Sequence, residues 1–172
     1  YSRVLDGEHR DTVKEAFNAM IQASTGLTTK PEGIDLEPIG MTWKDLTFCE
    51  VLPDGPQNTN YGCMAGLTRL AVKGRDILLY SNCDSPGGRH HGTVWASFDG
   101  GKTWPVKRLV FEGAHAYSSM TSGRPGTVTE GMVFHHFEGG PRGGSAVARF
   151  NLAWILEKGE STGNGEVPDW VK

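Results

Sequence analysis

Apolar residues recur along this chain with two different periods, and the change between them divides it. Over 11–24, Val13, Ala16, Phe17, Met20 and Ile21 stand at i, i+3, i+4, i+7 and i+8, the spacing that lines one face of a helix. Asp11 can accept from the first free amides as an N-cap, and Gly26 can end the helix. The stripe reads as a packing face set against a sheet. Beyond it the period shortens to two, or to short buried runs, over 67–72, 76–81, 93–98, 108–112, 116–121, 132–138 and 146–154. In the last run Ala148, Phe150, Leu152 and Trp154 share one face. Pairs and triplets such as Lys73-Gly74, Pro86-Gly87-Gly88, Pro125-Gly126 and Gly139-Gly140-Pro141 fall between the runs, where turns belong. The pattern predicts a mainly β, antiparallel sandwich or propeller with one helix. Residues 157–172, rich in Gly and Glu, read as an exposed C-terminal tail on a domain spanning 1–156.

Composition narrows the field. The 172 residues include 24 glycines, which suits a turn-rich β fold, and the chain is long enough for one real core. A net charge of -3, from 17 basic and 20 acidic residues, gives no field that would draw nucleic acid or an anionic membrane surface. No apolar run reaches the ~18 residues of a membrane span. Cys49, Cys63 and Cys83 lack C-x-x-C spacing; one bridge with a free thiol and three buried thiols both fit. His90-His91 and His135-His136 invite a metal, but neighbours on a strand point to opposite faces, so neither pair is expected to chelate one ion.

The most specific local motif is S-x-D-x-G-x-T-W, formed by Ser97, Asp99, Gly101, Thr103 and Trp104. Asp99-Gly100-Gly101 supplies the backbone of a tight hairpin, the short polar side chains can bind nearby amides, and Trp104 can tuck beneath the turn. A degenerate echo at 37–43 keeps Gly40, Thr42 and Trp43, and Trp43 and Trp104 stand 61 residues apart, near the ~50-residue scale of a propeller blade. The frame resembles the Asp-box of β-propellers, best known from sialidases. Further segments follow in the order and spacing of the C-terminal third of exo-α-sialidases: Leu78-Leu79-Tyr80-Ser81-Asn82, then Arg89, then Ala116-Tyr117-Ser118, then His136-Phe137-Glu138.

That resemblance implies about three blades of a six-bladed sialidase propeller, with the helix near 11–24 as an insertion. It implies Tyr117 as nucleophile and Arg89 as one of three arginines clamping a substrate carboxylate. Glu138 would orient a clamping arginine, and Arg3 would be a second clamp, with Arg10 as runner-up. Arginine suits the clamp because its rigid fork pairs two-pronged with a carboxylate and stays charged. A neutral tyrosine suits the attack because sialic acid carries a carboxylate beside its anomeric carbon, which repels an anionic nucleophile. The implied reaction is retaining hydrolysis of terminal sialic acids from glycoconjugates, with no cofactor and no metal.

The resemblance implies a secreted or periplasmic protein, and no signal is visible in this chain. A complete propeller of this kind is about twice as long, and its acid/base aspartate and the tyrosine's glutamate partner are not recognisable. The chain, which opens on Tyr1, thus reads as processed or truncated and inactive alone. Its exposed sheet edges would be covered by the missing propeller portion or another chain. Where many sialidases have Gly-Cys-Gln near the glycerol and N-acyl pockets, this chain has Gly62-Cys63-Met64, which implies an altered acyl preference. The alternative reading is a non-catalytic Asp-box propeller used for binding or scaffolding.

Overall fold

The computed structural model describes residues 49–55 and 62–171. The helix expected over 11–24, Arg3, Arg10 and the degenerate turn at 37–43 lie outside the described residues. Among the described residues the chain is an antiparallel meander. β1 (Gly66–Leu70), β2 (Ile77–Cys83), β3 (His90–Ser97), β4 (Val106–Ser122), β5 (Met132–Gly139) and β6 (Ser145–Asn151) neighbour one another in sequence order. A helix α1 (Leu152–Glu157) and a short β7 (Glu160–Ser161) follow, and β7 returns to pair with Val106 and Lys107 of β4.

Alternation along the strands builds the core. Ile77 and Leu79 of β2 lie on the same face as Leu70 of β1 and as Val94 and Ala96 of β3, through the pairs Leu70↔Ile77, Leu79↔Ala96 and Ser81↔Val94. Val133 and Phe150, cross-strand partners on β5 and β6, meet this face, and Ile155 of α1 completes one buried cluster. The opposite face is also covered: Tyr80 packs edge-on against Trp95 and Trp104. Each fully buried aliphatic or aromatic side chain contributes roughly 1.5–3 kcal/mol relative to exposure. A four-stranded meander set face to face on the sheet that continues from its last strand is the packing of successive propeller blades. The fold is therefore mainly β and antiparallel, a partial propeller.

Two expectations need correction. The runs over 108–112 and 116–121 are one strand, because β4 changes partner instead of ending: β3 pairs it as far as His90↔Ala114, and β5 takes over at His115↔Gly139. The run over 146–154 is not all strand. Asn151 accepts from the amide of Trp154 at 2.9 Å as an N-cap, and the good helix formers that follow turn into α1. Trp154 still packs on Phe150, and Arg108 lies over its ring, 3.7 Å from the centroid, while donating to its carbonyl. Many side chains of 157–171 are exposed, and a few contacts tie the segment to the sheet. Asn164 accepts from the Trp104 amide at 2.8 Å, Thr162 donates to the Trp104 carbonyl at 2.5 Å, and Trp170 meets Phe98 edge-on beneath Arg75.

The S-x-D-x-G-x-T-W turn folds as its residues require. Asp99 accepts from the Thr103 amide at 2.9 Å, from the Thr103 hydroxyl at 2.8 Å and from the Ser97 hydroxyl at 2.9 Å, while Ser97 accepts from the Gly101 amide at 2.8 Å. Partial burial works against its charge, but the bonds from Thr103 and Ser97 hold the Asp99 carboxyl below the usual range. Trp104 is buried under the turn. Replacing Asp99 by Ala removes three bonds at once and should cost about 1–2 kcal/mol of stability. Urea unfolding of the whole protein checks this, and an unchanged midpoint contradicts it.

Candidate functional site

The handover of β4 between its two partners creates the one place where the singled-out residues converge. Arg89 immediately precedes β3, and its carbonyl accepts from the His115 amide at 2.9 Å, so it lies beside the point where β4 leaves β3. The ladder between β4 and β5 then slips. His115 pairs with Gly139 and Ser118 with Phe137, leaving Ala116 and Tyr117 opposite the single residue Glu138. This is a β-bulge, a device that re-aims side chains and is over-represented beside functional sites. Gly139 permits it: its φ is +111°, and a Cβ there would run into the Ala114 carbonyl.

The bulge leaves Tyr117 40% exposed, with the Arg89 guanidinium 4.7 Å from the centre of its ring. Glu138, across the bulge, is also exposed. An open phenol, a guanidinium stacked on it and a facing carboxylate thus share one end of the sheet. A guanidinium can bind an anion two-pronged. Met64 borders it, 60% exposed, and its carbonyl accepts from the Ser118 amide at 2.9 Å. The Ser118 hydroxyl in turn meets the Ser81 hydroxyl at 3.0 Å, which fastens the residue after Tyr117 to β2.

The Asp-box does not take part. Ser97 and Arg89 flank opposite ends of the eight-residue β3, a separation of about 25 Å at strand rise. It stabilises the outer turn of the blade. Arg3 lies outside the described residues.

Beneath the site runs a buried polar chain that no sequence motif announces, since its members are drawn from separate strands. The Cys83 thiol donates to the His115 carbonyl at 2.9 Å, and the His115 and His135 Nε2 atoms face each other at 3.3 Å. One of those nitrogens must carry the proton and the other accept it. The His115 ring stacks on Phe137 at 4.7 Å. Burial pulls His115 down to about 4, and burial with repulsion from His115 and His136 pulls His135 down to about 3. His90 and His91 overturn the face argument made for them: a register shift and a φ of +57° at His91 bring both rings to one side, 4.5 Å apart with their Nδ1 atoms in contact. Among the described residues no group of three or more His, Cys, Asp or Glu side chains is set to hold a metal ion.

Comparison with known proteins gives a consistent family. No family model matches the chain. A sialidase from Micromonospora viridifaciens is 33% identical over 147 residues, which is 85% of this chain and 20% of that protein. A sialidase from Bacteroides fragilis (strain YCH46) is 32% identical over 80 residues, 43% of this chain and 14% of that protein. Among solved structures, the Hadza microbial sialidase Hz136 is 31% identical over 55% of this chain and 18% of its own, with a TM-score of 0.44. The chain spans about a fifth or less of the length of these relatives.

The histidine pair makes stability depend on pH. Both groups bind a proton less readily folded than unfolded, where histidine titrates near ~6.5, so their contribution is complete above that pH and lost as pH falls toward 4. Urea midpoints of the whole protein should decline between pH 7 and pH 4, and His135→Phe should flatten that decline. An equal decline in the variant would assign it to other groups.

Proposed function

Because the chain belongs to a sialidase-like family, we propose that it supplies part of the active site of a retaining exo-α-sialidase. Tyr117 is the nucleophile, Arg89 one arm of the carboxylate clamp, and Glu138 a positioning carboxylate. The substrate is a terminal sialic acid on a glycan. The observation that carries this reading is the bulge that sets Tyr117 against the Arg89 guanidinium and opposite Glu138.

In this mechanism Arg89 pairs with the sugar carboxylate and turns the anomeric carbon toward the Tyr117 oxygen. The phenol oxygen attacks that carbon and its proton passes to a carboxylate. The bond to the departing sugar breaks, with its oxygen protonated by a general acid. Water, giving its proton to the same group now acting as a base, then displaces the tyrosine from the face that the departing sugar vacated, and the second inversion restores the starting configuration. The acid and the proton-accepting carboxylate come from the rest of the protein. Activity therefore belongs to the whole protein, and its export to an extracellular or periplasmic site of action is part of the same proposal. The exposed Met64 at the rim cannot make an amide's hydrogen bonds, and it sets the acyl preference.

In the whole protein, Tyr117→Phe should lower kcat on a fluorogenic α-sialoside by at least about 1,000-fold, since no oxygen remains to form the covalent intermediate. Arg89→Lys keeps the charge but loses the fork, and should reduce kcat/KM by roughly 10- to 100-fold. Full turnover by a folded Tyr117→Phe variant would end the assignment of the nucleophile.

A further inference from the structure

Cys63 and Cys83 are both buried, and their sulfur atoms stand 4.0 Å apart. Cys49 is exposed. One side chain holds the buried pair in place from both ends. The Asn82 amide nitrogen donates to the Cys63 carbonyl at 3.1 Å, and the Asn82 amide oxygen accepts from the Cys83 amide at 2.8 Å. The Cys63 amide is itself bound to the Asp54 carbonyl at 2.9 Å. Both backbones are thus fixed before the sulfurs are considered. The remaining gap to a bonding distance of about 2.05 Å has to be closed by a change of side-chain rotamer.

We propose that Cys63 and Cys83 are joined by a disulfide in the mature protein, with Cys49 left as the free thiol. The crosslink fastens the segment bearing Met64 to the inner end of β2. It lies directly beneath the site, because the Met64 carbonyl holds the Ser118 amide and Cys83 touches His115. The disulfide gives up the hydrogen bond from the Cys83 thiol to the His115 carbonyl and removes both thiols from their buried setting.

Two S–H bonds break and one S–S bond forms. The S–S bond of a small-molecule disulfide such as glutathione disulfide breaks in exchange, and it takes up the two electrons and the two protons as two thiols. Exchange needs a thiolate, and burial pushes Cys63 up and Cys83 up to about 12 in the folded chain. The bond therefore forms while the chain is still folding, in an oxidising compartment, and is inert once the core closes.

The test is to refold the whole protein in a glutathione redox buffer, unfold it in denaturant with a maleimide, digest it and map the peptides. The expected result is a Cys63–Cys83 linked peptide, two hydrogens lighter than the sum of its parts, with Cys49 alkylated. Cys49→Ser retains the link and Cys63→Ala abolishes it. Reduction should lower Tm by about 5–10 °C in the parent protein and leave Tm of Cys63→Ala unchanged. Alkylation of both Cys63 and Cys83 after oxidative refolding, or a link through Cys49, would overturn the proposal.

Discussion

The structure turns on one strand that belongs to two sheets. β4 runs unbroken for 17 residues, bound first to β3 and then to β5. Every amide along such a strand needs a partner, and a strand can leave one neighbour only where another is ready to receive it. That transfer falls at Ala114 and His115, where Arg89 and Gly139 supply the last contact of one sheet and the first of the next. The transfer also brings the hydrophobic faces of the two sheets together, so Leu79 and Val94 on one side share a core with Val133 and Phe150 on the other. The same change of partner produces the bulge at Ala116 and Tyr117. Packing and site geometry thus have a common origin.

The polar chain below the site follows from the same constraint. Where the faces converge there is room for few large side chains, and the positions are filled by Ser81, Cys83, His115, Ser118 and His135, all buried. Gly66 and Gly92 open the space. A Cβ at Gly66 would stand 2.6 Å from the Ser81 hydroxyl oxygen, and one at Gly92 would strike the His115 ring. Such groups are costly to bury unless they bind one another. The Ser81–Ser118 and His115–His135 contacts supply such bonds and hold the strand carrying Tyr117 from beneath, while the His135 Nδ1 atom is buried with no hydrogen-bond partner among the described residues.

Much of this was legible from residue order alone. The strands and the hairpin at Asp99 follow from periodicity and turn chemistry, and a resemblance carried by several motifs in register singled out Arg89, Tyr117 and Glu138. The misreadings share one cause. The gap between 112 and 116 and the strand extended through Trp154 were judged from alternation alone. A partner distant in sequence, β5, closes the gap, and the Asn151 N-cap turns the last run into α1.

By itself the sequence determined which segments could be strands, because alternation and turn residues act over a few neighbouring positions. It determined the Asp-box as well, since every hydrogen bond inside that turn spans four residues or fewer. Only the tertiary structure decided that Arg89 lies over Tyr117, that His90 and His91 share a side, and that Cys63 meets Cys83 while Cys49 stands exposed. Those outcomes depend on where β4 changes partner and where its ladder slips. A one-residue slip reverses the facing of side chains. The slip is fixed by packing between sheets, which no local stretch of sequence encodes.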